Sequence, residues 1–297
     1  MQEILYTSDI HGNEAQYKKL TDYAVQIKAD FVIIGGDILP KNFSKDIFIF
    51  KQRKFLENRF PELLYPLKNK LPKCKVFLMM GNDDCAANMD VLERYDKDLV
   101  YLIGNKRMKM TESFDIAGYP YVPITPFGIK DWEKYDFSDP PQNLLARYLE
   151  RKRTNYRLEA KKSSQTGWEK FIFTPEIEKE DSIQKDLSQE LFLKNPKKTI
   201  YVFHTPPDNT NLDLTSPLAR SGGAHVGSMA LRSFIEKCQP YLTLHGHIHE
   251  TVKMSEEFRD KIGDTLCMAA GNDNMGDELA VLVFDIDKPE RAERMVM

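Results

Sequence analysis

Five short segments of this sequence mix imidazoles with carboxylates and amides. They are Asp9-Ile10-His11-Gly12-Asn13, Gly35-Gly36-Asp37, Gly81-Asn82-Asp83-Asp84, His204-Thr205-Pro206-Pro207 and His245-Gly246-His247-Ile248-His249. Five of the six histidines lie in them; the sixth is His225. Hard oxygen donors combined with imidazoles suit borderline divalent cations such as Mn, Fe or Zn. Asp9 and His11 can reach one cation if the chain turns at Gly12. The glycines before Asp37 permit a tight backbone, and the two oxygens of its carboxylate can bridge two cations. Asn82 offers a neutral amide oxygen. Alone, Asp-x-His or Gly-Gly-Asp is ordinary turn chemistry. Alternating imidazoles at 245, 247 and 249 are costlier, because each loses solvation unless it finds a partner. As a set, the five segments read as a two-metal hydrolase.

Such residues need elements that bring them together, and each segment follows an apolar run. Glu3 to Thr7 and Asp30 to Ile34 read as strands, the second a continuous apolar run expected of burial on both faces. Glu14 to Lys28 carries Tyr17, Leu20, Ala24 and Ile27 at helical spacing. Ser44 is placed to cap a long helix through about Leu71, interrupted or kinked near Pro61 and Pro66. Val76 to Met80 is the next buried strand. This βαβαβ order implies parallel strands covered by helices, and their carboxyl ends open on one side, where loops distant in sequence converge. Val100 to Val122 reads as short strands, with Phe114 to Gly118 one arm of a hairpin. Thr199 to Phe203, Tyr241 to Leu244, Leu266 to Ala270 and Ala280 to Ile286 complete the strands. His225 precedes an amphipathic helix carrying Leu231, Phe234 and Ile235.

Residues 140–195 differ in character, being densely charged. Arg147, Arg151, Lys152, Arg153, Arg157, Lys161 and Lys162 are expected on one basic helix, with Leu145, Tyr148, Leu149 and Tyr156 as its apolar stripe. Glu176 to Glu190, with Ile177, Ile183, Leu187 and Leu191, is expected to pack against it as an acidic partner. The expectation is a single domain over 1–297 with this helical element inserted.

Taken together, the ordered segments from Asp9 to His249 resemble the pattern D-x-H, G-D, G-N-H-[DE], a lone His and G-H-x-H of the calcineurin-like metallophosphoesterase superfamily. The resemblance implies an α/β fold, a four-layer αββα sandwich of two mixed β-sheets flanked by helices. It further implies that Asp9, His11 and His249 hold one metal, that Asn82, His204 and His247 hold the other, and that Asp37 bridges them. Manganese is the first expectation, with iron, zinc or nickel as alternatives. A cation pair of this kind activates water and clamps phosphoryl oxygens, so hydrolysis of a phosphate ester follows, a diester by preference. The same resemblance suggests that Asn13 contacts the phosphate or braces a ligand loop.

One position departs from the family pattern. Many members carry His where this chain has Asp83, and that His assists the transition state or the leaving oxygen. Asp83 can serve as the acid only where burial or Asp84 favours its protonated form, which metal cations oppose. Asn82 and Asp83 are nonetheless the expected catalytic pair, and His225 is a candidate replacement donor or substrate contact. His245 is expected to orient a ligand from behind. Cys85 reads as an inert buried thiol.

Composition narrows the alternatives. The 297 residues carry 42 basic and 45 acidic side chains, a net charge of −3, which does not favour nucleic acid as a partner or a nuclease activity. Four cysteines without C-x-x-C spacing argue against thiolate zinc and a disulfide framework. No apolar run approaches the ~20 residues needed to span a bilayer, and Ile4 to Tyr6 already reads as strand. A cytoplasmic protein acting on a small-molecule phosphoester is expected, the alternative being a metal-binding scaffold that has lost catalysis.

Overall fold

The structure, a computed structural model, describes residues 2–41, 47–219, 224–273 and 276–297. Ser44, the expected helix cap, lies outside these residues. In chain order the strands are β1 (Glu3–Thr7), β2 (Phe31–Gly35), β3 (Lys75–Met79), β4 (Tyr101–Leu102), β5 (Lys106–Lys109), β6 (Asp115–Tyr119), β7 (Val122–Pro123) and β8 (Glu133–Lys134). Then follow β9 (Glu159–Ser164), β10 (Gly167–Ile172), β11 (Thr199–Phe203), β12 (Leu242–His245), β13 (Arg259–Ile262), β14 (Thr265–Ala269), β15 (Ala280–Asp285) and β16 (Glu293–Val296).

Two six-stranded sheets result, in the orders β16-β15-β1-β2-β3-β4 and β13-β14-β12-β11-β6-β5. Each is mixed. In the first, β1 to β4 run parallel while β15 and β16 pair antiparallel. In the second, β6, β11, β12 and β14 run parallel between antiparallel β5 and β13.

Alternation along the strands builds the layers, since successive side chains point to opposite faces. Ile4, Tyr6, Ile33, Phe77, Met79 and Leu282 of the first sheet share a core with Ile116, Ile200, Val202, Leu242, Leu244 and Met268 of the second. On the outer face of the first sheet, Leu5, Val32, Ile34, Val76 and Leu78 pack with Tyr17, Leu20, Phe60 and Leu64 from helices. Outside the second sheet, Tyr119, Tyr201 and Phe203 pack with Leu231, Phe234 and Ile235. This is the expected αββα sandwich. Among the described residues, no helix is long and apolar enough to cross a membrane.

Several local readings change. The helical stretch before β3 runs Phe48–Lys54 and Phe60–Lys70, joined by a π-helical turn at Phe55–Arg59. The irregularity therefore sits just before Pro61, whose missing N–H cannot continue the regular ladder, whereas Pro66 is accommodated inside the second helix.

The basic helix spans only Leu145–Thr154. Residues expected to continue it instead form the antiparallel β9–β10 hairpin, whose turn ends at Gly167 with φ +130°. A left-handed glycine there favours chain reversal over helix. The acidic stretch breaks into short helices Pro175–Glu180, Ile183–Leu187 and Glu190–Leu193. Contact between the two is real but local: Lys152 pairs with Glu178, and the Tyr148 hydroxyl donates to Glu178 at 2.7 Å. Of the stripe, Tyr148 is buried and Leu149 exposed.

Candidate metal centre

The motif loops leave the carboxyl ends of β1, β2 and β3 in one sheet and of β11 and β12 in the other. Backbone bonds sew them together. Asp9 N–H donates to Gly36 O at 2.9 Å and His11 N–H to Asp37 O at 2.8 Å. The His247 N–H donates to Asp9 Oδ1 at 3.0 Å, linking the two sheets. Asp9, His11, Asp37 and His247 all have positive φ, between 48° and 69°. Asp and His are among the non-glycine residues that tolerate this left-handed region, yet it still stores strain.

Two donor groups form around Asp37. In one, His11 Nε2 and His249 Nε2 stand 3.2 Å apart, with Asp9 Oδ1 3.5 Å from His249 Nε2. Ligand atoms of Asp9, His11, Asp37 and His249 all lie within 4.8 Å of one another. In the other, Asn82 Oδ1 lies 3.0 Å from His204 Nε2 and 2.6 Å from His247 Nδ1. Asp37 Oδ2 reaches both, 3.4 Å from His204 Nε2 and 3.7 Å from His11 Nε2. All seven sequence-designated donors therefore meet. The mixed oxygen and nitrogen set fits borderline divalent cations. His204 also has the support a metal-ligating imidazole uses: its Nδ1 lies 2.8 Å from Gly35 O.

Electrostatics follow from crowding. Burial alone would raise the carboxylate pKa of Asp9, but the hydrogen bond and charge of His249 outweigh it and hold it at about 2. Burial works against His204 likewise, yet Asp37 raises it to about 9. Burial prevails at His247, lowering it to about 3. Asp9 thus stays ionised beside its imidazole neighbours, and a cation entering the site would displace the proton that His204 holds.

The supporting residues were only partly visible in the sequence. Asp84 is fully buried; its carboxylate accepts from Ile38, Leu39 and Gly81 N–H at 2.8–3.0 Å. It thereby ties the loop after β2 to the loop after β3. A Cβ on Gly81 would stand 2.4 Å from Asp37 Oδ1, and one on Gly36 (φ +102°) 2.6 Å from His204 Nδ1. Glycine is required at both. Burial pushes the Cys85 thiol well up, in keeping with inertness.

The geometry bears on four expected roles. Asn13 caps the helix Glu14–Ile27: its Oδ1 accepts from Ala15 N at 3.0 Å and Gln16 N at 3.2 Å, and its Nδ2 donates to Gly276 O at 3.1 Å. That leaves its polar atoms committed away from a phosphate. His225 pairs through Nδ1 with Asp213 at 2.6 Å and does not line the cleft over the donors, whereas its neighbour Val226 does. His245 is buried with both nitrogens satisfied, by Thr205 O at 3.0 Å and Thr243 Oγ1 at 2.8 Å; it braces the chain after His204. Asp83 forms an ion pair with Lys41 at 2.5 Å. That contact commits its carboxylate to a cation on the cleft wall, in keeping with a poorer acid than the imidazole other members carry.

This cleft, of about 520 Å³, is lined by Asp37, Asn82, Asp83, His247 and His249 on its metal-facing side. Its other walls include Pro123, Ile124, Pro126, Phe127 and Val226, with Lys41 and Arg151 as cations. Arg151 is occupied, donating to Asp208 Oδ1 at 2.7 Å, Gly227 O at 2.5 Å and His225 O at 2.9 Å.

A profile of the calcineurin-like phosphoesterase family matches residues 3–251. No curated protein matches the sequence. Among solved structures, TT1561 of Thermus thermophilus is 15% identical with TM-score 0.53, covering 99% of this chain and 98% of its own. A further crystal structure is 13% identical with TM-score 0.55, covering 100% and 98%. At such identities the likeness is one of fold. A dimetal phosphatase from Danio rerio, 10% identical over 99% and 98% of the two chains, has TM-score 0.49, too low to support an argument.

Proposed function

Because the chain belongs to the calcineurin-like phosphoesterase family, we propose that it hydrolyses a small-molecule phosphate ester, a diester by preference, at two divalent cations. In this reading Asp9, His11 and His249 hold one cation, Asn82, His204 and His247 the other, and Asp37 both; manganese is the favoured metal. The carrying observation is the position of Asp37 Oδ2, 3.4 Å from His204 and 3.7 Å from His11, between two sets of donors. Bound there, a cation pair supplies charge neutralisation at phosphoryl oxygens and a more acidic water.

The protein's own share is positioning. Asp84 fixes the two loops that carry Asp37 and Asn82. The cleft's volume, about 520 Å³, lies in the usual range for small-molecule sites. Its apolar wall of Pro123, Ile124, Pro126 and Phe127 suits an organic leaving group that is itself apolar. Arg151 and the residues around it, part of the charged 140–195 insertion, restrict which esters enter.

The test is turnover of bis-p-nitrophenyl phosphate and p-nitrophenyl phosphate by protein loaded with manganese. Metal-dependent release of nitrophenol, faster from the diester, is the expected result. Fully metallated protein without turnover on either ester would instead favour a scaffold role, for which Asp83 in place of the family's His is the supporting feature.

A further inference from the structure

Lys41 enters the cleft from the turn that follows β2, four residues after Asp37. Among the described residues its one ion-pair partner is Asp83, at 2.5 Å, in the loop that follows β3. Both side chains line the cleft alongside Asp37, Asn82, His247 and His249. The Lys41 side chain keeps 45% of its surface open, against 13% for Asp83.

The second cleft cation, Arg151, is committed to Asp208, Gly227 O and His225 O. An ammonium carries three donors, and Asp83 takes one direction of Lys41. The Lys41 charge also acts on His11 and His249, which sets the ammonium beside the donor cluster. The loop carrying Asp83 is itself rigid. Its main chain is pinned by Asp83 N–H to Asp37 Oδ1 at 2.8 Å and by Gln52 Nε2 to Asp83 O at 2.8 Å. Asp83 can therefore aim the longer, freer lysine.

Resting on the phosphoesterase reading, we propose that Lys41 is the phosphate-contacting cation of this site, and that Asp83 is the positioning residue that aims it. Asp83 occupies the position where other members supply an imidazole, and Lys41 reaches it from the preceding loop. A fixed positive charge beside the phosphoryl oxygens stabilises the charge that grows there during attack. The paired carboxylate sets a second consequence. An anion at this spot disfavours the extra charge of a phosphomonoester dianion more than a diester monoanion. By offsetting the Lys41 charge, Asp83 thus limits the advantage a dianionic monoester would otherwise gain there, while Lys41 serves the rate.

The test compares wild type with Lys41→Met, Lys41→Arg, Asp83→Asn and Asp83→Glu, all loaded with manganese. Three quantities are read: bound metal, calorimetric affinity for inorganic phosphate, and kcat and KM on the mono- and diester nitrophenyl substrates. Lys41→Met should lower diester kcat/KM on the order of 100-fold and weaken phosphate binding about tenfold, with bound metal unchanged. Lys41→Arg should recover most of both. Asp83→Asn should raise the monoester-to-diester ratio of kcat/KM, and Asp83→Glu should restore it.

Phosphate affinity of Lys41→Met within twofold of wild type would overturn the assignment, and so would an unshifted ester ratio in Asp83→Asn for its second half. Wild type that binds phosphate yet turns over neither ester would defeat the phosphoesterase reading. Phosphate affinity would still decide Lys41.

Discussion

The His247 main-chain N–H donates to both carboxylate oxygens of Asp9, at 3.0 and 3.2 Å, across 238 residues of sequence. Asp9 follows a strand of one sheet and His247 a strand of the other. Their bond is where the two halves of the sandwich meet at the site. The main chain thus fixes the placement of donors from both sheets relative to one another, and such backbone support is what makes a metal site selective and rigid.

Asp37→Asn removes the charge from the one carboxylate that reaches both donor groups. Bound manganese and turnover should each fall at least about 100-fold, beyond the loss typical of a residue that only supports a ligand. Far-ultraviolet circular dichroism should stay near that of wild type. Retained turnover would contradict the bridging position. Elemental analysis after dialysis and a diester assay supply the two readings.

Gly81→Ala tests the packing beneath Asp37. Its Cβ would lie 2.4 Å from Asp37 Oδ1 and 2.5 Å from Asp37 N, atoms of a buried and backbone-anchored residue. Overpacking of this kind costs about 1–3 kcal/mol, readable as a lower urea midpoint. Weaker manganese binding should accompany it, because the displaced carboxylate is the one whose Oδ2 lies between the two donor groups. A variant as stable as wild type would mean that this loop yields more easily than its hydrogen bonds suggest.

His245 gives the fold a pH dependence of definite sign. Burial lowers its pKa to about 4, below the ~6.5 of an unfolded histidine. The unfolded chain thus binds the proton more readily. Stability from this group is complete above the unfolded value and declines as pH falls from about 6.5 towards 4. Between pH 7 and 5 the loss is roughly 2 kcal/mol. Urea unfolding of metal-free wild type and His245→Gln at both values isolates it: the variant should lose less stability on acidification. Equal losses would remove His245 from the acid sensitivity of the fold.

Phe127 is half-exposed on the apolar wall of the cleft. Phe127→Ala should raise KM for bis-p-nitrophenyl phosphate about threefold to tenfold, the effect of about 1 kcal/mol of lost apolar contact, with bound metal unaffected. Deleting residues 142–192 is a poorer probe of specificity. Tyr148, Ile183, Leu187 and Phe192 share a core with Phe203 and Phe234, so the deletion would open that core. A Phe127→Ala enzyme with unchanged KM would place the leaving group elsewhere.

Much of this was legible in the sequence, for a physical reason. Strands such as Phe31–Gly35 and Thr199–Phe203 are buried along their whole length, so they read as unbroken apolar runs, and the candidate metal donors stand just past their ends. The edge strands Arg259–Ile262 and Glu293–Val296 are charged and partly exposed, and carry no such signature. The β9–β10 hairpin was hidden in the same way, its lysines continuing the basic run of the preceding helix. Of the two roles expected of Asn13, the capping contacts accord with bracing the loop, and the signal was present in the sequence: an Asn directly before Glu14 and a helical periodicity. Lys41 could not have been found. Its role depends on a partner, Asp83, that lies 42 residues away and meets it only through the crossing of two loops.

Anomalous diffraction from crystals grown with manganese tests the central claim most directly. The account predicts two peaks about 3.5–4 Å apart, one among Asp9, His11 and His249, the other among Asn82, His204 and His247, with Asp37 touching both. A lone peak away from Asp37, or none in protein that retains its fold, would contradict it.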